Sequence, residues 1–194
     1  MMFLLDPVAL LRLARQSVSD PRGGARAMMA LDLPRPVLLQ FYVLLQVLSA
    51  IVKVIYFAIA PDPEGVEIPP GASISFTLFE AMVGLIAAFA AYRIGRAFGG
   101  RGTFDQALTL VIWAQFILFL VNIVQLGVLL ILPPMVDLIN IAAIALFFWL
   151  MVHFVSELHD FKSPGLVFVG ILLSLFSLAI LLSIVFSAMG LRLV

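Results

Sequence analysis

Five long apolar runs occupy nearly all of the chain from Leu38 onward: Leu38–Ala60, Ile74–Phe98, Ala107–Leu132, Met135–Leu158 and Leu166–Met189. A bilayer's hydrocarbon core is about 30 Å thick, so a spanning helix needs roughly 20 apolar residues. Each run meets that length. Inside hydrocarbon a backbone N–H or C=O finds no water, so an isolated apolar run of this length has to be helical. The residues are 64% hydrophobic and 11% charged, and the mean hydropathy is +1.21. The sequence therefore predicts an all-α polytopic membrane protein with five transmembrane helices.

The 194 residues divide into an N-terminal amphipathic segment, 1–36, and a membrane domain, 37–194, with no space for a separate soluble lobe. Formal net charge is zero, which argues against nucleic acid as a partner. The absence of cysteine excludes disulfides, thiolate metal sites and cysteine catalysis. Met1 to Gln16 does not have the form of a signal peptide. Asp6, Arg12 and Arg15 interrupt it, and no small-residue cleavage site follows.

Basic residues alternate by side. Arg12, Arg15, Arg22, Arg26 and Arg35 precede the first span, Arg93, Arg96 and Arg101 fall in the second connection, and Lys162 falls in the fourth. The first connection carries Asp62, Glu64 and Glu67, the third is Pro133-Pro134, and Arg192 alone follows the fifth span. Cytoplasmic loops hold the excess of Lys and Arg. The expected orientation is N-terminus in the cytoplasm and C-terminus outside.

Asp6-Pro7 is an N-cap followed by proline at the first helical position, and Asp20-Pro21 repeats the signal. Val8, Leu11, Ala14 and Val18 recur at helical spacing, with Leu10 and Leu13 broadening the apolar stripe and Arg12 and Arg15 flanking it. Two placements follow: a helix lying in the headgroup layer, or one packed beneath the bundle. A second short helix is expected to run to about Leu31, weakened by Gly23-Gly24. Asp32-Leu33-Pro34-Arg35-Pro36 turns the chain into the first span. Thr103 and Gln106 have the spacing of a capping box at the start of span three. Small residues four apart (Gly84 with Ala88, Ala87 with Ala91, Gly170 with Ser174, Ser183 with Ser187) mark faces where helices can approach closely.

Ionisable groups inside a membrane are costly and invite a functional reading. With 1.5 Å of rise per residue, Lys53, Glu80, Gln125 and Asn140 all fall about 10 Å inside the outer ends of their spans. Asp137 lies nearer the outer surface and Asn122 nearer the midplane. This outer layer is expected to be an ion pair with supporting amides, a group snorkelling outward, or a binding or transport site.

At the inner edge His153, Glu157 and Asp160 share one helical face, with His159 adjacent. Such ligands can hold a divalent metal, but polar residues are ordinary at that depth, and no metal or cofactor is expected. Gly99-Gly100-Arg101-Gly102-Thr103 lacks the lysine and spacing of a phosphate loop. Arg93, Arg96 and Arg101, with Arg12 and Arg15, are candidate contacts for anionic lipid at the cytoplasmic face. Trp113 and Trp149 are expected to pack rather than to stack on a ligand. There is no glycine-flanked serine elbow and no His-Glu-x-x-His, so an enzyme is not expected.

Asp20-Pro21, the basic glycine connection followed by Thr103-Phe104, and the span-four ending Glu157-Leu158-His159 resemble the Yip domain family. These are small five-span proteins named for interaction with Ypt/Rab GTPases, and the resemblance runs from about Leu10 to Gly190. Eukaryotic members carry Asp-Leu-x-Gly-Pro before the first span; here the segment is Asp32-Leu33-Pro34-Arg35-Pro36, with arginine in the glycine's place. The chain is more similar to compact bacterial members, for which the family implies a fold and a membrane rather than a chemistry. The expected function is a non-enzymatic membrane-organising or adaptor role, through a cytoplasmic face that meets anionic lipid or a protein partner. The alternatives are a small transporter, channel or lipid-moving protein built on the outer polar layer, and an accessory subunit of a membrane complex.

Overall fold

The computed structural model describes residues 6–60 and 70–188, and every element among them is helical. Asp62, Glu64, Glu67 and Arg192, used above to assign sides, lie outside the described residues. Helices α1 (Pro7–Ser19) and α2 (Pro21–Met29) precede five long helices: α3 (Arg35–Ile59), α4 (Pro70–Ala97), α5 (Phe104–Ile131), α6 (Val136–His159) and α7 (Pro164–Ala188). Among the described residues α3 to α6 are long and apolar enough to cross a membrane. In α7, of 25 residues, the stretch Pro164–Ser177 is apolar over a shorter length.

Start and stop signals explain the boundaries. The Asp6 carboxylate accepts from the N–H groups of Val8 and Ala9, and that of Asp20 accepts from Gly23. Both caps are followed by proline at the first helical position, where its missing N–H costs nothing. At α5 the capping box forms: Gln106 N–H donates to the Thr103 hydroxyl at 3.2 Å, and Thr103 N–H donates to the Gln106 side chain at 3.0 Å. Pro133–Met135 forms a tight 3₁₀ turn between α5 and α6. Asp160, at φ 57°, ends α6 in a left-handed residue, and Phe161 N–H returns to the Ser156 carbonyl at 2.8 Å.

Helix α5 is the centre of the bundle. It packs against α3, α4 and α6, with α7 beside α6. Of its span window 44% is buried inside the chain, against 11–17% for the other three. Those three turn Leu44, Phe79, Leu138 and many similar side chains outward. In water that surface would drive aggregation; in lipid it is solvated. The core beside α5 joins Leu38, Leu108, Trp113, Leu150 and Phe154. Gly84 and Ala88 are buried against neighbouring helices, whereas the Gly170 face meets open space within the chain.

Helices α1 and α2 lie against the flank of the bundle, with α2 on α5 and α6 and α1 on α6. The contact reaches Trp113 and Trp149, about 14–15 Å along α5 and α6 from their inner ends. Leu13, Ala14 and Ser17 are buried, while Val8, Leu11 and Val18 are exposed. The stripe expected from the sequence is thus divided: Leu13 and Ala14 face the protein, and Val8, Leu11 and Val18 do not. Helix α1 is packed on the bundle along one side and has an apolar, basic face on the other.

Candidate functional site

Two polar regions stand at opposite ends of the bundle. At the end where α4 runs into α5, the two N-terminal helices are fixed by polar bonds that reach far in sequence. The Trp113 indole N–H donates to the buried Ser17 hydroxyl at 2.9 Å, and that hydroxyl donates to the Leu13 carbonyl at 2.8 Å. The Trp149 indole N–H donates to the Val18 carbonyl at 3.1 Å. Arg22 donates to the Phe161 carbonyl at 3.1 Å, and Arg26 pairs with Glu157 at 3.1 Å. Arg26 is well exposed, so this ion pair contributes alignment more than energy, about 0.2–1 kcal/mol.

His159 holds the connection between α4 and α5. Its Nδ1 lies 3.2 Å from the Gly102 N–H and its Nε2 3.0 Å from the Ala91 carbonyl. A backbone N–H only donates and a carbonyl only accepts, so Nδ1 is bare and Nε2 carries the proton. The residue is buried, and two glycines make the space for it. A Cβ on Gly95 would sit 2.1 Å from the ring and one on Gly100 2.2 Å from it, while Gly102 rests against Leu158. Gly99 adopts φ +85°, a region closed to most other residues. The glycine connection is therefore an imidazole cradle rather than a phosphate loop.

The candidate arginines for anionic lipid are all exposed. Arg12 and Arg15 are exposed on α1, Arg93 and Arg96 are exposed at the end of α4, and Arg101 is exposed in the connection. Arg96 lies over the Tyr92 ring at 5.8 Å. Arg35 pairs with Asp105 at 2.6 Å and lies 5.2 Å over Phe104. The inner-edge residues weighed as metal ligands go to separate partners: His153 Nδ1 to the Trp149 carbonyl at 2.7 Å, and Glu157 to Arg26.

In the sequence-derived outer layer, six residues resolve into two pairs and two outliers. Lys53 pairs with Glu80 between α3 and α4, and its ammonium also lies 5.3 Å from the Phe76 ring centroid. Gln125 donates to Asn140 at 2.8 Å between α5 and α6. Asp137 is exposed and Asn122 half-buried, and among the described residues neither joins the pairs by a hydrogen bond.

A third polar group was not read from the sequence. Tyr42 donates to the Ala81 carbonyl, and Gln46 donates to Gln115 at 3.1 Å. Gly84 leaves room for both: its Cβ would lie 2.5 Å from the Tyr42 hydroxyl and 2.5 Å from the Gln115 amide. The signal was present, since Tyr42, Gln46, Ser49 and Lys53 recur at i, i+4, i+7 and i+11 on one face of α3.

The segments that carried the family resemblance thus meet in space, with Asp20-Pro21 opening α2, Glu157 bonded to it through Arg26, and His159 gripping the connection before Thr103-Phe104. Comparison with known families agrees: the Yip1 domain matches residues 15–185. The chain belongs to the Yip1 domain family. The Yip1 match begins within α1 and ends within α7, so it takes in both polar regions and, of the candidate arginines, omits only Arg12. No curated protein and no solved structure gives a significant match. Membership makes the protein an integral, multi-pass membrane protein of Yip1 type.

Proposed function

We propose that this Yip1-domain protein is a non-enzymatic membrane-organising or adaptor protein. It is inserted in a bacterial inner membrane with its N-terminus in the cytoplasm and its C-terminus outside. The observation that carries the reading is the outer face of α1. Val8, Leu11 and Val18 are 54%, 52% and 40% exposed, and the same face bears Arg12 and Arg15. Apolar side chains interleaved with arginine suit the boundary between headgroups and acyl chains of an anionic membrane. Ser17, Val18 and the two tryptophans hold that face in a fixed attitude, as a platform for lipid or a partner protein requires.

The test is Arg12→Glu with Arg15→Glu in reconstituted protein. Enrichment of a labelled anionic phospholipid around the protein should fall, and so should recovery of cross-linked partners from cells. Unchanged lipid enrichment together with an unchanged set of partners would reject the adaptor reading.

A second reading, a small transporter or lipid-moving protein, draws on Glu80, whose carboxylate side chain is 40% exposed although it pairs with Lys53. Ion or lipid flux in proteoliposomes, lost in Glu80→Gln, would favour it.

A further inference from the structure

We propose that a groove between α3 and α5 is a binding site for one acyl chain of a phospholipid, drawn from the leaflet beside α1. This goes beyond the adaptor reading and does not depend on it. The groove encloses about 230 Å³. Leu45 and Leu48 of α3 and Trp113 and Phe116 of α5 form its walls, and Leu10 and Met28 bring α1 and α2 against them. An apolar cavity of about 150 Å³ is already large enough to stay dry and admit a benzene-sized molecule.

The lining specifies an apolar occupant. Its single side-chain hydroxyl, on Thr109, donates to the Asp105 carbonyl at 2.8 Å. The indole N–H of Trp113 is spent on Ser17, so Trp113 offers the groove only its ring. A headgroup, a peptide backbone or a sugar entering here would leave its polar groups without partners. A hydrocarbon chain would not.

Its source follows from the mouth. Leu44 and Leu48 line the groove and are 53% and 38% exposed on a membrane-spanning helix, so the opening is continuous with the lipid-facing surface. A chain moving in from the bilayer gains no hydrophobic free energy, since both environments are hydrocarbon. It gains dispersion contacts that the lining atoms lack when the groove is empty. Because α1 and α2 share the lining, the occupant also bridges the cytoplasmic helices and the bundle.

The experiment uses the full chain in liposomes containing a phospholipid with a diazirine on one acyl chain, with adducts mapped by mass spectrometry after irradiation. Adducts should concentrate on Leu48, Phe116 and Leu10, severalfold above Leu138 and Ile141 on the outer face of α6. Leu48→Trp, or Leu44→Trp at the more exposed position, should cut groove adducts severalfold and leave those on α6 unchanged. The wild-type distribution decides by itself should a variant not fold. Equal labelling of groove and α6 would overturn the proposal. So would labelling of the groove by the free diazirine fatty acid and not by the phospholipid. The same holds for cross-links seating residues 1–5 or a second copy of the chain in the groove with lipid adducts missing.

Discussion

Ser17 and Trp113, 96 residues apart, share a hydrogen bond of 2.9 Å in which the indole donates to the hydroxyl. Ser17 is completely buried and Trp113 is 3% exposed. The bond therefore joins the first helix of the chain to the central helix of the bundle, out of reach of water. Ser17→Ala removes the acceptor and strands a buried N–H, which costs about 1–3 kcal/mol. The expected outcome is faster amide exchange across α1 and α2, measured by mass spectrometry in nanodiscs, with the exchange of α5 unchanged.

The histidine cradle predicts a sharp contrast among glycines. Gly95→Ala places a methyl 2.1 Å from the His159 ring, whereas Gly127→Ala meets nothing within 4 Å. Overpacking of this kind costs about 1–3 kcal/mol. Thermal unfolding in detergent should show Gly95→Ala and Gly100→Ala clearly less stable than the parent. Gly127→Ala should match or exceed it, because alanine favours helix by about 1 kcal/mol over glycine.

Lys53 and Glu80 are expected to be energetically coupled. Removing one partner of a fully buried pair costs about 3–5 kcal/mol; with Glu80 partly exposed, about 1–3 kcal/mol is expected for Lys53→Met. The double variant Lys53→Met with Glu80→Gln should lose less than the sum of the single variants, in a cycle of unfolding measurements.

Sidedness can be read directly, because the chain has no cysteine. Single cysteines replacing the exposed residues Arg101, Lys162 and Pro134 should label with a membrane-impermeant maleimide from two sides. Those at positions 101 and 162 should react from the cytoplasmic side in inverted vesicles, and that at 134 from the outside in whole cells. Labelling of all three from one side would refute the arrangement of α4 to α7.

The spans were legible because hydrophobic length is a local property, and the caps at Asp6, Asp20 and Thr103 because each needs only residues a turn away. Depth was legible too, since rise per residue brings Lys53 level with Glu80 and Gln125 level with Asn140. What depth omits is direction around the helix axis, so one expected layer separates into two pairs. The part that Ser17 plays in the buried face of α1 was missed for another reason. Ser17 is polar, and nothing nearby in sequence announces that an indole 96 residues away will satisfy it. His159 was read as an edge residue because its setting is supplied by Ala91, Gly95, Gly100 and Gly102, which the fold alone brings around it.

The long reach from α1 to Trp149 has a consequence for biosynthesis. The bond from Trp149 to Val18 spans 131 residues, and translation at about 5–20 residues per second takes roughly 7–26 s to cover that distance. The segment around Val18 is thus made well before the residue that fastens it. Until α5 and α6 have both been made, Ser17 and the Val18 carbonyl lack the indole donors that fasten α1 to the bundle.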